Sequence, residues 1–189
     1  MRWPRSAPPT PQPLTRHERL YWFEEPVHRK DALPLSALRR QTTIPIATGQ
    51  HEGYHFRHRE LLVHQAVDFL QPNVLNGGGY TECTRVTALA QAFNIPIANG
   101  GAWPHHNMHR QAGMANGTRV EFHYLAWMLG EAIFKDPPRP EKGCVTLPEP
   151  PGVGAEAEAR DLAGNCGCLE YVAARLGGHG WAALEGGLR

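Results

Sequence analysis

Short apolar runs rich in β-branched and aromatic residues recur along the chain from residue 20 onward. Each run is closed by polar, glycine or proline residues, as expected for buried strands of a parallel sheet. Their ends fall near residues 24, 48, 71, 98 and 122, so the steps are 24, 23, 27 and 24 residues. The predicted strands are LYWFEEP (20–26), IPIATG (44–49), VDFLQP (67–72), IPIANG (95–100) and RVEFH (119–123).

Amphipathic helices are predicted between these strands, because apolar residues there recur at three- and four-residue spacings. Thr81 follows three glycines and is expected to cap the third helix. The segment GGAWPHHNMH is interpreted as a loop. The predicted helices are LPLSALRRQ, FRHRELLVHQA, TECTRVTALAQAF and YLAWMLGEAIF.

Alternating strands and helices predict an α/β fold with a parallel sheet, since parallel neighbours need a crossover connection. An open doubly wound sheet and a (β/α)8 barrel both fit this alternation. A complete barrel takes about 250 residues, whereas this chain has 189 residues and five units. The glycines at 77–79 lack the GxGxxG spacing of a phosphate loop. If the fold is a barrel, this chain supplies only part of it.

The formal net charge of +1 argues against a nucleic-acid or anionic membrane partner, which would need a basic face. No apolar run approaches the roughly 18 residues of a membrane span. The four cysteines contain no CxxC pair, which favours a reducing, cytoplasmic location. We expect three parts: a disordered Pro/Arg-rich leader (1–19), the α/β portion (20–154) and a poorly ordered Gly/Ala-rich tail (155–189).

Acids, amides and imidazoles follow the predicted strands one after another. In parallel α/β folds the carboxyl ends of the strands form the ligand-binding edge. Such a row of side chains suits a hard metal ion or acid–base chemistry. The strand-end groups are Glu24-Glu25, Gln50-His51-Glu52, Gln71-Pro72-Asn73, Asn99-Gly100 and His123.

The order and spacing of several motifs resemble the second half of enolase-superfamily enzymes, in the mandelate racemase and muconate lactonising enzyme group. The resemblance is strongest to the acid-sugar dehydratases and covers about residues 20–154. It implies the last five strands, four to eight, of a (β/α)8 barrel with a capping domain at its mouth. The motifs are WFEEPV, IPIATGQHE, DFLQPNVLNGGGYTE, ALAQAFNIPIANGG and VTLPEPPGVG.

This resemblance also implies a Mg2+ ion held by carboxylates at strand ends, which stabilises an enediolate formed beside a substrate carboxylate. Glu24 matches one of these metal ligands. Gln50 falls where the family usually has Glu, so the metal site is expected to be weakened. The partner is then a small-molecule carboxylate such as a sugar acid, and the reaction is a dehydration or a racemisation.

Three further residues are catalytic candidates through the same resemblance. Asn73 falls where the family often places an Asp that orients a catalytic histidine. The histidine position itself is Gly100 or Asn99, and the nearest imidazoles are His106 and His105. The usual lysine base and one Asp metal ligand have no counterpart. We therefore expect a partial barrel with negligible activity in isolation, and as an alternative a non-catalytic partial barrel that self-associates.

A rival motif, His51-Glu52-Gly53-Tyr54-His55, matches the HExxH signature of zinc metallopeptidases. That chemistry needs both histidines on one face of a helix and a third ligand downstream. The motif follows a predicted strand, and Gly53 is a poor residue for a helix interior. A strand-end loop is the favoured interpretation.

Overall fold

A computed structural model describes residues 20–101, 104–154 and 156 of the chain. The expectations for the leader and for nearly all of the tail lie outside these residues. Strands and helices alternate through most of the described part. The elements in chain order are β1 (Phe23–Glu24), α1 (Ala32–Arg39), β2 (Ile46–Thr48), α2 (Tyr54–Val63), β3 (Phe69–Leu70), α3 (Gly79–Ala92), β4 (Ile97–Ala98), α4 (Pro104–Gly113), β5 (Gly117–Arg119), α5 (Tyr124–Ile133), β6 (Pro140–Glu141) and β7 (Cys144–Val145).

The main sheet contains β1 to β5, which pair in parallel in strict sequence order. A doubly wound sheet needs a point at which the strand order reverses, and this sheet has none. Sequential strands joined by right-handed crossovers place every helix on the same face. The fold is therefore α/β of the (β/α)8 barrel type and comprises five consecutive strand–helix units of such a barrel, an incomplete barrel as predicted. Strands β6 and β7 form a separate antiparallel pair.

The sheet is strongly curved. Strands lie about 4.8 Å apart, so a flat sheet would separate the first and fifth by roughly 19 Å. Yet the guanidinium carbon of Arg119, in β5, lies 3.9 Å from the ring centroid of Tyr21, just before β1. The Tyr21 ring also packs against Phe69 of β3, with 5.6 Å between centroids. Side chains from the first, third and fifth strands thus meet across a concave face.

The hydrophobic core lies between the outer face of the sheet and the helices. Alternate strand residues point outward and are covered by the apolar faces of the helices, which also contact one another in sequence from α2 to α5. The core residues are Leu35, Ile46, Leu61, Leu62, Ala66, Val67, Leu70, Val86, Ala90 and Ile97.

None of the helices that the structure describes is long and apolar enough to cross a membrane.

The fifth strand differs from the prediction. It spans Gly117–Arg119 and not 119–123, so only its last residue falls in the predicted range. Beyond Arg119 the backbone leaves the ladder, because the Glu121 amide donates to the Asn99 side-chain oxygen, at 3.0 Å, rather than to a strand carbonyl. This early end makes Glu121 a strand-end residue.

Two helix predictions are also corrected. The segment interpreted as a loop is helix α4, so His105 and His106 lie on a helix; proline is well tolerated in the first helical turn, where Pro104 stands. Helix α3 begins before Thr81, which therefore does not cap it. Gly78 is the N-cap in a left-handed conformation, with φ 98°, and glycine adopts that conformation without strain.

Asp68, just before β3, joins two neighbouring elements. Its Oδ1 accepts a hydrogen bond from Nε of Arg39 in α1 at 2.9 Å. Its Oδ2 accepts from the backbone amide of Ile46 in β2, also at 2.9 Å. One carboxylate thus fixes the end of a helix to the start of a strand.

We predict that Asp68→Ala lowers the free energy of unfolding by about 1 to 3 kcal/mol, since two donors lose a charged partner. Urea denaturation measures the change. Asp31→Ala is the matched control, because Asp31 occupies the N-cap of α1 without a side-chain cap bond. The control should cost less than about 0.5 kcal/mol, and equal losses in both variants would contradict the assignment.

Candidate functional site

All five strands of the main sheet deliver a polar side chain to the carboxyl-terminal edge of the sheet. We call these residues the strand-end cluster: Glu24, Gln50, Gln71, Asn99 and Glu121. Nε2 of Gln71 donates to Oε2 of Glu24 at 3.0 Å. The Asn99 side chain accepts from the backbone of Glu121. The cluster lies where ligands bind in parallel α/β folds.

Glu24 is the exposed carboxylate of the cluster. Besides Gln71, the indole of Trp22 donates to its Oε2, at 3.2 Å. Both bonds use the same oxygen, so the carboxylate is held in one orientation by two donors. An oriented, solvent-accessible carboxylate is a suitable ligand for a hard cation.

Glu121 is the second carboxyl group of the cluster and is not among the residues proposed from the sequence. Its Oε2 is buried and has no hydrogen-bond partner among the described residues. Burial raises the pKa of Glu121, and the charge of Glu24 raises that pKa further, whereas His123 and a hydrogen bond from the Gly101 backbone lower it. A carboxyl group that retains its proton can donate a hydrogen bond to an anion. The sequence analysis placed Glu121 inside a strand, whereas β5 ends at Arg119, so Glu121 was not recognised as a strand-end residue.

Two amide atoms of the cluster are buried without partners among the described residues. They are Oε1 of Gln71 and Nδ2 of Asn99. Each of the two residues is only 1% exposed. An unsatisfied buried polar atom costs about 1 to 3 kcal/mol. One acceptor and one donor facing a site therefore favour a ligand that supplies the complementary groups.

Gly100 and Gly101 leave space that the side chains of Gln50 and Asn73 fill. A Cβ at Gly100 would lie 2.8 Å from Cβ of Gln50, and one at Gly101 would lie 2.7 Å from Nδ2 of Asn73. Gly101 also has φ +73°, which disfavours other residues. Of the two positions where the resemblance expects a histidine, Gly100 thus has no room for a side chain, and Asn99 carries a buried amide.

Asn73 is fully buried, and its side chain bonds to both backbone and side-chain groups. Nδ2 donates to the carbonyl oxygen of Gly100 at 2.9 Å. Oδ1 accepts from the Leu75 amide at 2.9 Å and from the Asn107 side chain at 3.3 Å. Asn73 therefore positions the loop after β3 against the glycine pair.

The structure places Glu24 and Gln50 at the ends of β1 and β2 and Asn73 in the loop after β3, but it places His105 and His106 on helix α4. Both rings lie beside Phe134 at the end of α5, with centroid distances of 5.4 Å and 6.3 Å. His105 is 1% exposed, and neither ring nitrogen has a hydrogen-bond partner among the described residues. A Cβ at Gly130 would lie 2.3 Å from its ring, which shows how closely α4 and α5 pack. Burial lowers the pKa of His105 to about 4.

The HExxH motif does not form the arrangement that a zinc peptidase needs. Helix α2 begins at Tyr54, so His51 and Glu52 precede it, and of the two histidines of the motif only His55 lies in the helix. Nδ1 of His55 contacts the Glu82 carboxylate at 2.8 Å instead of facing His51. The strand-end loop interpretation therefore fits this segment, and the peptidase interpretation does not.

The donor chemistry of the cluster suits Mg2+, although the protein ligands are few. Carboxylate and amide oxygens are hard donors, and Mg2+ commonly keeps several waters. Glu24 and Gln50 offer one charged and one neutral oxygen donor. Within 20–101 and 104–154, no group of three His, Cys, Asp or Glu side chains is placed to hold a metal ion.

Most of the chain matches one protein-family model. The model of the enolase C-terminal domain-like family matches residues 12–161. D-gluconate dehydratase of Thermoproteus tenax is 30% identical over 149 residues, which is 76% of this chain and 30% of that protein. D-xylonate dehydratase of Haloferax volcanii is 29% identical over 145 residues, or 71% of this chain and 34% of that protein. The chain thus spans about a third of the length of these curated relatives.

Solved structures give the same result for the fold. L-talarate dehydratase of Polaromonas sp. JS666, complexed with Mg and L-glucarate, has a TM-score of 0.69 and 28% identity, covering 76% of this chain and 39% of that one. A racemase of Streptomyces coelicolor A3(2) with bound magnesium has a TM-score of 0.70 and 27% identity, covering 77% and 39%. The match covers a similar share of each neighbour, as expected for the same portion of one barrel.

We predict that Asn73→Asp destabilises the protein by about 1 to 3 kcal/mol, because a carboxylate oxygen would face the Gly100 carbonyl oxygen where an amide now donates. Urea denaturation at neutral pH measures this change. Asn76→Asp is the matched control, since Asn76 is exposed and donates to the Gln50 carbonyl at 3.1 Å. Water can replace that bond, so a control loss as large as that of Asn73→Asp would contradict the role of Asn73.

We also predict that His105 makes stability depend on pH. Its folded pKa of about 4 lies below the ordinary value of 6.5, so the unfolded chain binds the proton more readily. Its contribution is complete above about pH 6.5 and is lost as the pH falls toward 4. The difference between the folded and unfolded pKa corresponds to about 3 kcal/mol.

The measurement is the urea midpoint from pH 7.5 to 4 for the parent chain and for His105→Gln. Burial also lowers the pKa values of His58 and His106, so the variant keeps part of the slope. The difference between the two curves isolates His105. Parallel curves across the whole range would show that His105 does not titrate as described.

Proposed function

Because the chain belongs to the enolase C-terminal domain-like family, we propose that its strand-end cluster serves a dehydratase or racemase reaction on a hydroxy acid or sugar acid. The reaction proceeds through an enediolate formed beside the substrate carboxylate. The names of the similar dehydratases support a sugar acid as the substrate class. The proposal concerns the part of the site that this chain carries.

The observation that carries the proposal is the pair formed by Glu24 and Glu121 on opposite strands of the curved sheet. Glu121 has a raised pKa and a buried oxygen without a partner among the described residues. In its protonated form it donates a hydrogen bond to a substrate carboxylate oxygen and stabilises negative charge that develops there. Gln71 then accepts from a substrate hydroxyl through Oε1, and Asn99 donates to another through Nδ2.

Glu24 and Gln50 would hold a Mg2+ ion in this proposal. A bound Mg2+ supplies positive charge that offsets the charge developing on the substrate carboxylate. The magnesium-bound structural neighbours support the choice of ion. Gln50 brings no charge, so the affinity is expected to be lower than that of a site built from carboxylates alone.

Proton abstraction needs a base, and the described part of the site has no lysine or histidine placed for that role. The three lysines, Lys30, Lys135 and Lys142, do not stand at the carboxyl end of a strand of the main sheet. His105 and His106 face α5. A positioned base contributes about 10²- to 10⁴-fold to such a reaction. We therefore propose that this chain alone binds a sugar acid and turns it over slowly at best.

The test is calorimetric titration of the chain with D-gluconate, with and without Mg2+. We expect binding that Glu121→Ala weakens by about tenfold, because a charge-assisted hydrogen bond is lost. Glu121→Gln should bind within about threefold of the parent, since an amide also donates. Glu24→Gln should remove the Mg2+ dependence.

Glu141→Ala, at an exposed position of β6, is the control for the loss of one carboxylate. Equal affinity of the Glu121→Ala, Glu141→Ala and parent chains would exclude the cluster as the binding site. Proton NMR of D-gluconate in deuterated buffer measures exchange at the carbon beside the carboxylate. Rapid exchange catalysed by the chain would contradict the absence of an effective base.

A further inference from the structure

A second pocket lies between the loop after β1 and helix α2, with a volume of about 170 Å3. None of its lining residues belongs to the strand-end cluster. The loop between β1 and α1 and the first residues of α1 form one wall, and the residues before and within α2 form the other. The polar groups that line it include Arg29, Lys30, Glu52, Arg57, Glu60 and His64.

Two cations of this pocket have no acidic partner within the described part of the chain. The ion pairs found there include neither Arg29 nor Lys30. Nε of Arg29 is also buried without a hydrogen-bond partner among those residues. Burial of an unpaired guanidinium nitrogen is costly, so the pocket favours an anion.

Glu52 supplies a carboxylate, which is a hydrogen-bond acceptor, to the same pocket. It is 3% exposed, and its Oε2 accepts from Nε of Arg57 at 3.1 Å. Its Oε1 is buried and accepts no hydrogen bond from the residues that the structure describes. A carboxylate oxygen can only accept, so it needs a ligand that carries a donor such as a hydroxyl.

We propose that this pocket binds a small hydroxy-carboxylate. The carboxylate of the ligand pairs with Arg29 and Lys30, and a hydroxyl of the ligand donates to Oε1 of Glu52. A cavity of about 150 Å3 holds a ligand of six carbon atoms, so this pocket accommodates roughly the seven non-hydrogen atoms of glycerate. A simple carboxylate or a neutral polyol satisfies only one of the two walls.

The first experiment is calorimetric titration of the full chain with D-glycerate, propionate, glycerol and inorganic phosphate. We expect D-glycerate to bind with a millimolar Kd. Propionate should bind about fivefold to tenfold more weakly, because it cannot donate to Glu52, and glycerol should not bind detectably. Equal affinity for propionate and D-glycerate, or tighter binding of phosphate, would overturn the proposed ligand class.

The second experiment locates the binding. Arg29→Gln should weaken D-glycerate binding by about tenfold. Arg85→Gln, which removes an exposed arginine of α3 that pairs with Glu82 away from the pocket, should leave the Kd within about twofold. Circular dichroism checks that each variant is folded. Lys30→Gln removes the second unpaired cation of the pocket, at an exposed position.

Glu121→Ala separates this pocket from the strand-end cluster, and the inference does not rest on the proposed function. D-glycerate binding that persists in Glu121→Ala and falls in Arg29→Gln supports the pocket. A loss in Glu121→Ala without a loss in Arg29→Gln would assign the binding to the cluster. The absence of D-glycerate binding at high millimolar concentration would also overturn the proposal.

Discussion

The curvature of the main sheet is the constraint on which the site depends. Five parallel strands in sequence order place their helices on one face, and the sheet bends away from those helices. As a result, the last strand faces the first strand across the concave side. The Arg119 guanidinium lies over the Tyr21 ring, and the charge of Glu24 raises the pKa of Glu121. In a flat sheet these residues would be too far apart to influence each other.

Close packing at the end of β4 determines which chemistry the site contains. Gly100 and Gly101 admit the side chains of Gln50 and Asn73, and any Cβ at either glycine would collide with them. The amide of Asn73 then holds the Gly100 carbonyl, so the glycine pair and the amides depend on one another. An imidazole at this position would require both amides to move. The histidines that follow in sequence turn instead toward α5, where burial keeps His105 neutral.

Buried polar atoms without partners mark both proposed binding sites. In the strand-end cluster they belong to Gln71, Asn99 and Glu121, and in the second pocket they belong to Arg29 and Glu52. Folding rarely leaves such atoms unsatisfied, because each costs about 1 to 3 kcal/mol. The two sets differ in charge. The cluster combines two carboxyl groups with amides, whereas the pocket has an excess of cations over its buried carboxylate.

The sequence by itself determined the alternation of strands and helices, the family resemblance and the approximate end of every strand except the fifth. The spacing of apolar residues and the positions of Gly and Pro indicate which residues are buried. Burial is the property that a local sequence pattern can predict. The alternation alone left both a doubly wound sheet and a barrel open; the resemblance implied the barrel, and the strand order confirms it. Glu24, Gln50 and Asn73 were singled out through the family resemblance, and the pattern of apolar runs placed them near the ends of strands.

Only the tertiary structure decided where Glu121 and His105 lie. Glu121 became a site residue because the Asn99 side chain captures its amide and ends β5 early. His105 was removed from the site because α4 is a helix packed against Gly130 of α5. Each outcome depends on contacts between residues distant in sequence, and a local pattern carries no information about such contacts.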